Sequence, residues 1–238
     1  MIEFRRAGAR GLSQLGWLHS RHTFSFSHYY DPREVGFSDL LVINDDTVEP
    51  GQGFGSHPHR DMEIFSYVLE GGLAHKDSAG HEEVCRPGDV QMMSAGGGVF
   101  HSEYNASASE PVHFLQIWIV PDRTGGPVRY QQRHFPASER RGQLRLIISP
   151  DEANGSLPVW QDVRVYAGLF DGAEQTSLAV AGRYAYVHVA RGALSVNGER
   201  FAAGDGARVR EETSLTFSDG ENAEVLVFDL RAHEHPVR

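Results

Sequence analysis

The chain has 238 residues, enough for one large domain or two small ones with a real hydrophobic core. Lys plus Arg number 22 against 32 for Asp plus Glu, a formal charge of −10 with no basic block to interrupt it. Such a surface repels a phosphate backbone, so neither DNA nor RNA is expected as a direct partner. The opening run MIEFRRAGARGLSQLG lacks the apolar centre of a signal peptide. The longest apolar run, 112–120, is broken by His113 and Gln116 and is too short to span a bilayer, so no membrane role is expected. Cys85 is the sole cysteine, which rules out an intrachain disulfide and suits a reducing compartment; the cytoplasm is the expected location.

In chain order, the aromatic run HTFSFSHYY (22–30) reads as strand core with polar edges, which leaves His19, His22 and His28 weak as ligands. Short alternating apolar runs follow at FSDLLVIN (37–44), EIFSYVLE (63–70), VHFLQIWIV (112–120), YAYVHVA (184–190) and EVLVFDL (224–230). Glycine-rich and proline-rich turns separate them, and only the segment around 138–142 suggests a turn of helix. Many short strands at close intervals predict an all-β chain of sandwich or barrel type. AGGG (95–98) is similar to a phosphate loop, but no Gly-Lys-Ser/Thr follows, so a tight turn is expected. Cys85 has no base partner in view and reads as an inert thiol.

The chain also repeats itself. YVLEGGL (67–73) precedes the turn RPGDV (86–90), and YVHVARGAL (186–194) precedes AAGDGARV (202–209). Asn197-Gly198 adds a hairpin signal. Two copies of one antiparallel barrel unit account for this, divided into 1–133 and 134–238. The step from Gly88 to His101 carries Gly204 onto Phe217, and no His-x-His precedes the first strand of the second copy. Chemistry is therefore expected in the first copy.

His57 and His59 are one residue apart, so on a strand they project from one face while Pro58 faces away. Proline also marks that point as an edge or a break in the ladder. Two imidazoles together suit a borderline metal such as Fe, Zn, Cu, Ni or Mn. His101 and Glu103 repeat the spacing, and barrel pairing could bring the two pairs together. Alternation alone leaves open whether Glu63 or Glu103 is the accompanying carboxylate. His233 and His235 form another such pair in the terminal tail, and His75, His81, His113 and His134 read as ordinary polar positions.

Gly51, His57, His59, Glu63 and Gly71, with Gly98, His101 and Asn105, resemble the two cupin motifs, although Gly96 stands where the second motif has proline. A narrower resemblance is to the pirin family. It is carried by HTFSFSHYYDP (22–32), VINDDTVEPGQGFGSHPHRDMEI (42–64), SAGGGVFHSEYN (94–105), QIWIVP (116–121) and SPDEANGSLPVWQD (149–162). The resemblance implies a bicupin whose N-terminal barrel holds one divalent transition metal, foremost Fe(II), with Zn, Ni, Cu, Mn or Co as alternatives. It implies His57, His59, His101 and Glu103 as ligands, with Glu63 a bystander. Bacterial members resemble quercetin 2,3-dioxygenases, which implies a flavonol-like substrate, O2 as co-substrate, carbon monoxide as product and Glu103 as both ligand and catalytic base. Phe54, Phe65, Phe100 and Trp118 are candidate walls for a flat substrate. The alternative, implied by eukaryotic members, is a redox-sensitive regulatory protein that acts through a protein partner without catalysis.

Overall fold

The computed structural model describes residues 1–235. The expected run of short strands is observed: β1 (Ile2–Arg5), β2 (Gly11–Gln14), β3 (Leu18–His22), β4 (Leu40–Val48), β5 (Gly53–His59) and β6 (Glu63–Glu70). They are followed by β7 (Leu73–Asp77), β8 (Glu82–Cys85), β9 (Asp89–Ser94), β10 (Val99–Asn105), β11 (Val112–Ile119) and β12 (Arg129–His134). After the helical turn α1 (Ala137–Arg140) come β13 (Leu144–Ser149), β14 (Leu157–Pro158), β15 (Arg164–Gly172) and β16 (Thr176–Ala179). β17 (Tyr184–Val196), β18 (Glu199–Ala202), β19 (Gly206–Val209) and β20 (Ser214–Leu230) complete the set. Among the described residues no helix is long and apolar enough to cross a membrane.

The strands fall into two compact units, one of residues 11–134 with 159–161, the other of 1–10, 135–158 and 162–235. The hand-over lies next to the expected 133/134 boundary, but two segments sit outside the expected spans. β1 pairs along β19, Ile2 opposite Val209, so the first ten residues join the C-terminal unit. Sequence proximity does not decide membership; strand pairing does.

In the N-terminal unit one sheet runs β12-β9-β6-β11-β4-β3-β2 and a second runs β5-β10-β7-β8. In the C-terminal unit the order β1-β19-β17-β20-β15-β13 repeats that of β12-β9-β6-β11-β4-β3. There β17 does the work of β6 and β7 together, and β20 that of β10 and β11. The start of β20 pairs with β16, and β17 pairs with β18, matching β5-β10-β7-β8. β17 turns its corner at Gly192, where φ is +63° and a Cβ would meet the Glu221 carbonyl, so only glycine fits. These paired orders are the tandem bicupin architecture.

The two interiors differ. The C-terminal unit is filled with apolar side chains, among them Phe170, Phe201, Phe217 and Val225, each fully buried. Each contributes on the order of 1.5–3 kcal/mol by leaving water. In the N-terminal unit the face of β4, β11 and β3 that looks inward carries Asn44, Asp46, Gln116, Ser20 and His22, all buried. Polar groups inside a barrel weaken its core, so their presence calls for a use. Cys85 lies buried in an apolar cluster with Leu73 and Phe114, and burial raises its thiol pKa, in keeping with an inert thiol.

Segment 159–161 is held in the N-terminal unit by three hydrogen bonds. The Trp160 amide donates to Glu63 Oε2 (3.1 Å), the Asp122 amide to the Trp160 carbonyl (2.7 Å), and Gln161 Nε2 to the Val120 carbonyl (2.8 Å). Glu63 also accepts from the Ser94 hydroxyl (2.9 Å). Burial outweighs these bonds and pushes the Glu63 carboxyl up to about 7. The folded chain thus keeps a proton that the unfolded chain releases in the ordinary carboxylate range, and stability falls as pH rises between the two values. Glu63→Gln keeps an acceptor for Trp160 without the charge. Urea unfolding should show the variant close to the wild type at about pH 5 and more stable by about 3 kcal/mol at about pH 8. Equal pH slopes for the two proteins would refute this account of Glu63.

Candidate metal centre

β5 is the edge of the four-stranded sheet, which explains how it accommodates Pro58: the missing amide costs no ladder bond on its open side. His57 and His59 are half-buried and point inward, while Pro58 is exposed. β10 lies antiparallel to β5 with His101 directly opposite His57 and Val99 opposite His59. Between His101 and Glu103 the register shifts, so that Glu103 faces Phe54; the extra residue is on β5, at Gly55–Ser56. Along β10, His101 and Glu103 are each 1% exposed, whereas Phe100 and Tyr104 on the other face are 56% and 42% exposed.

This pairing brings ring nitrogens of His57, His59 and His101 within 4.8 Å of one another. His57 Nε2 and His101 Nε2 are 2.9 Å apart. His57 Nδ1 donates to the Gly55 carbonyl (2.8 Å), which leaves its Nε2 lone pair facing the cluster. Burial, reinforced by neighbouring imidazoles, lowers His59 and His101 to about 3, so both rings are neutral and able to donate lone pairs at neutral pH. Glu103 Oε2 lies 3.9 Å from His101 Nε2. It accepts from Gln116 Nε2 (2.5 Å), while Oε1 accepts from the Ser66 hydroxyl (3.2 Å). Burial raises the Glu103 carboxyl above its ordinary value. Three imidazoles and one carboxylate, braced from behind, are a donor set that fits a divalent first-row metal. Glu63 is not part of this cluster; its carboxylate is taken up by Ser94 and Trp160.

Two histidines expected to be ordinary prove to be built into the surroundings. His75 on β7 stands opposite Glu103, is 1% exposed, and forms a second close group with His101 and Glu103. Both of its nitrogens are engaged: Gln91 Nε2 donates to Nδ1 (3.0 Å), and Nε2 donates to Asp77 Oδ2 (3.2 Å). It therefore supports the site from behind. His75 and Asp77 share the one-residue spacing of the other two pairs, a signal visible in the sequence. His22 is also buried, donating from Nδ1 to Asn44 Oδ1 (2.7 Å) and accepting at Nε2 from the Ser13 hydroxyl (2.8 Å). His113 and His134 pair with Asp45 and Asp89.

His57, His59 and Glu103 border a cavity of about 460 Å³ in this unit, with His22 and His28 also on its lining. Trp118 forms one end, edge-on to both His59 (5.0 Å) and Phe26 (5.4 Å). Trp17 and Phe54, edge to face at 5.2 Å, border the cavity elsewhere. Of the four aromatic residues expected as walls, Phe54 and Trp118 line the cavity. Phe65 is buried in the core and Phe100 points outward, because alternation along β6 and β10 turns them away from it.

Comparison with known proteins identifies the family. The Pirin family model matches residues 4–119, and the model for the quercetinase C-terminal cupin domain matches 146–230. A quercetin 2,3-dioxygenase of Escherichia coli K12 is 46% identical over 97% of this chain and 99% of its own. A pirin-like protein of Caulobacter vibrioides is 38% identical over 96% and 99%. The crystal structure of the E. coli pirin YhhW in complex with nickel(II) superposes with a TM-score of 0.92 at 44% identity, covering all of both chains. With a three-histidine cluster in the first of two cupin units and relatives matched over nearly its full length, this chain belongs to the pirin family.

Proposed function

We propose that the protein is a metal-dependent dioxygenase that opens the central ring of flavonols such as quercetin with O2, releasing carbon monoxide. The observation that carries this reading is the convergence of three imidazoles, with the buried Glu103 carboxyl beside His101, at an aromatic-walled cavity. The naming of close relatives as quercetin 2,3-dioxygenases supports the substrate class. His57, His59, His101 and Glu103 would hold the metal. When bound, a divalent ion, foremost Fe(II) or the nickel(II) held by the E. coli relative, supplies Lewis acidity and a meeting point for substrate and O2.

The remaining work falls to side chains. Glu103, its proton affinity raised by burial, takes the proton of the flavonol 3-hydroxyl. Gln116 and Ser66 grip its two oxygens and fix the direction of that transfer. Trp118 and Phe54 offer flat apolar surfaces against which the fused rings stack, excluding water. Both oxygens of O2 enter the products, and one ring carbon leaves as carbon monoxide. The lone buried cysteine and the acidic surface are in keeping with work in the cytoplasm.

Two experiments test this. His57→Ala and His101→Ala should each abolish stoichiometric metal binding in elemental analysis of purified protein, while Glu63→Gln retains it; complete metal loss in Glu63→Gln would overturn the ligand assignment. Metal-loaded wild type should consume O2 and release carbon monoxide in equal amounts with quercetin, and His101→Ala should not. Absence of both across a panel of flavonols would exclude the dioxygenase and favour the regulatory, partner-binding alternative.

A further inference from the structure

The cavity holds a second carboxyl group that neither the metal cluster nor the fold uses. Asp46 lies on β4, on the same inward face as Asn44 and two residues along, roughly 7 Å further from the row that carries Gln116. It is 2% exposed and lines the cavity. Ser20, directly across on β3, hydrogen-bonds its carboxyl group. Its Oδ1 is buried with no hydrogen-bond partner at all. Buried polar atoms are nearly always satisfied, and one that is not, on a cavity wall, has its partner in whatever fills the cavity. Of the charged groups acting on it, the carboxylates of Asp45 and Glu103 disfavour a charge, and His113 favours one at lesser strength. Burial raises the carboxyl to about 7, so much of it is protonated near neutrality and able both to donate and to accept. Leu18, Trp17 and Phe54 add apolar lining to the cavity and pack with Val48 and Phe114 in one apolar cluster.

We propose that Asp46, with Ser20, is a specificity-determining residue that hydrogen-bonds a phenolic hydroxyl of the substrate lying outside its metal-binding 3-hydroxy-4-ketone edge, so that the site selects polyhydroxylated flavonols over bare ones. The inference rests on the flavonol reading of the site. A pocket built to pair a hydroxyl rejects the analogue that lacks it far more strongly than an apolar pocket rejects an extra one. Retaining a buried carboxyl with one oxygen unpartnered also lowers stability, a cost that function at this position explains and a structural role does not.

The test uses the metal-loaded protein and two probes, quercetin and 3-hydroxyflavone, with binding followed through quenching of tryptophan fluorescence, since Trp17 and Trp118 line the cavity. Wild type should prefer quercetin. Asp46→Ala should weaken quercetin binding about tenfold, leave 3-hydroxyflavone and metal content unchanged, and leave the thermal midpoint unchanged or raised. Asp46→Asn, which keeps a donor and an acceptor, should hold most of the preference. Equal loss for both ligands, no loss for either, or a lowered midpoint in Asp46→Ala would overturn the proposal. Wild type that binds neither flavonol would remove the flavonol reading together with this one. Wild type that binds both, matched on each by Asp46→Ala, would remove this one alone.

Discussion

The site depends on one register: the antiparallel pairing of β5 with β10 that sets His57 against His101. Because successive side chains alternate between faces, a slip of one residue would carry His57 and His59 to the outer surface and bring Pro58 inward. The register also explains the bulge at Gly55–Ser56. It adds one residue to β5 so that Phe54, and not a glycine, stands across from Glu103. An edge strand can absorb both a proline and a bulge, and β5 carries both. On the other side of β10, β7 pairs along it and carries His75 and Asp77, hydrogen-bonded to each other.

Much of this could be read from the residues. The HPH and HSE spacings mark two strands whose inward faces carry ligand chemistry, and the step from Gly88 to His101 locates the equivalent Phe217 in the second copy. In the structure Thr176 lies across from Phe217 as His57 lies across from His101. What alternation could not settle was which glutamate turns inward beside the histidines. Glu63 follows His59 at an even interval, but the chain leaves β5 after His59, Asp61 takes a positive φ of +49°, and Glu63 begins a strand in the other sheet. Parity along a strand carries no information past a turn. The roles of His75 and Asp46 depend on strands brought together from distant parts of the chain, which no local pattern records. The assignment of β1 to the C-terminal sheet is illegible for the same reason.

The two units show what it takes to turn a barrel into a site. Strand order is shared, yet one interior is packed with phenylalanine, valine and leucine and the other is laid with serine, asparagine, aspartate and glutamine. Phe217, stacked at 6.1 Å on Phe170, fills the position corresponding to His101. The polar unit gives up core cohesion to make room for chemistry, while its apolar counterpart keeps the full benefit of burial. A stability deficit of this kind is the common accompaniment of an active site.

β1 has a consequence for the order in which the chain is made. Its residues leave the ribosome ahead of every strand of the N-terminal unit, but their partners in β19 come only after it, with Ile2 waiting for Val209. The strands of the seven-stranded sheet and its four-stranded companion are all contiguous behind it and can pair while synthesis continues. During that interval β1 is an unpaired edge, exposed to any other edge that comes near. Its charged alternation, Glu3 and Arg5 interleaved with Ile2 and Phe4, is the kind of sequence that keeps such an edge from finding the wrong partner.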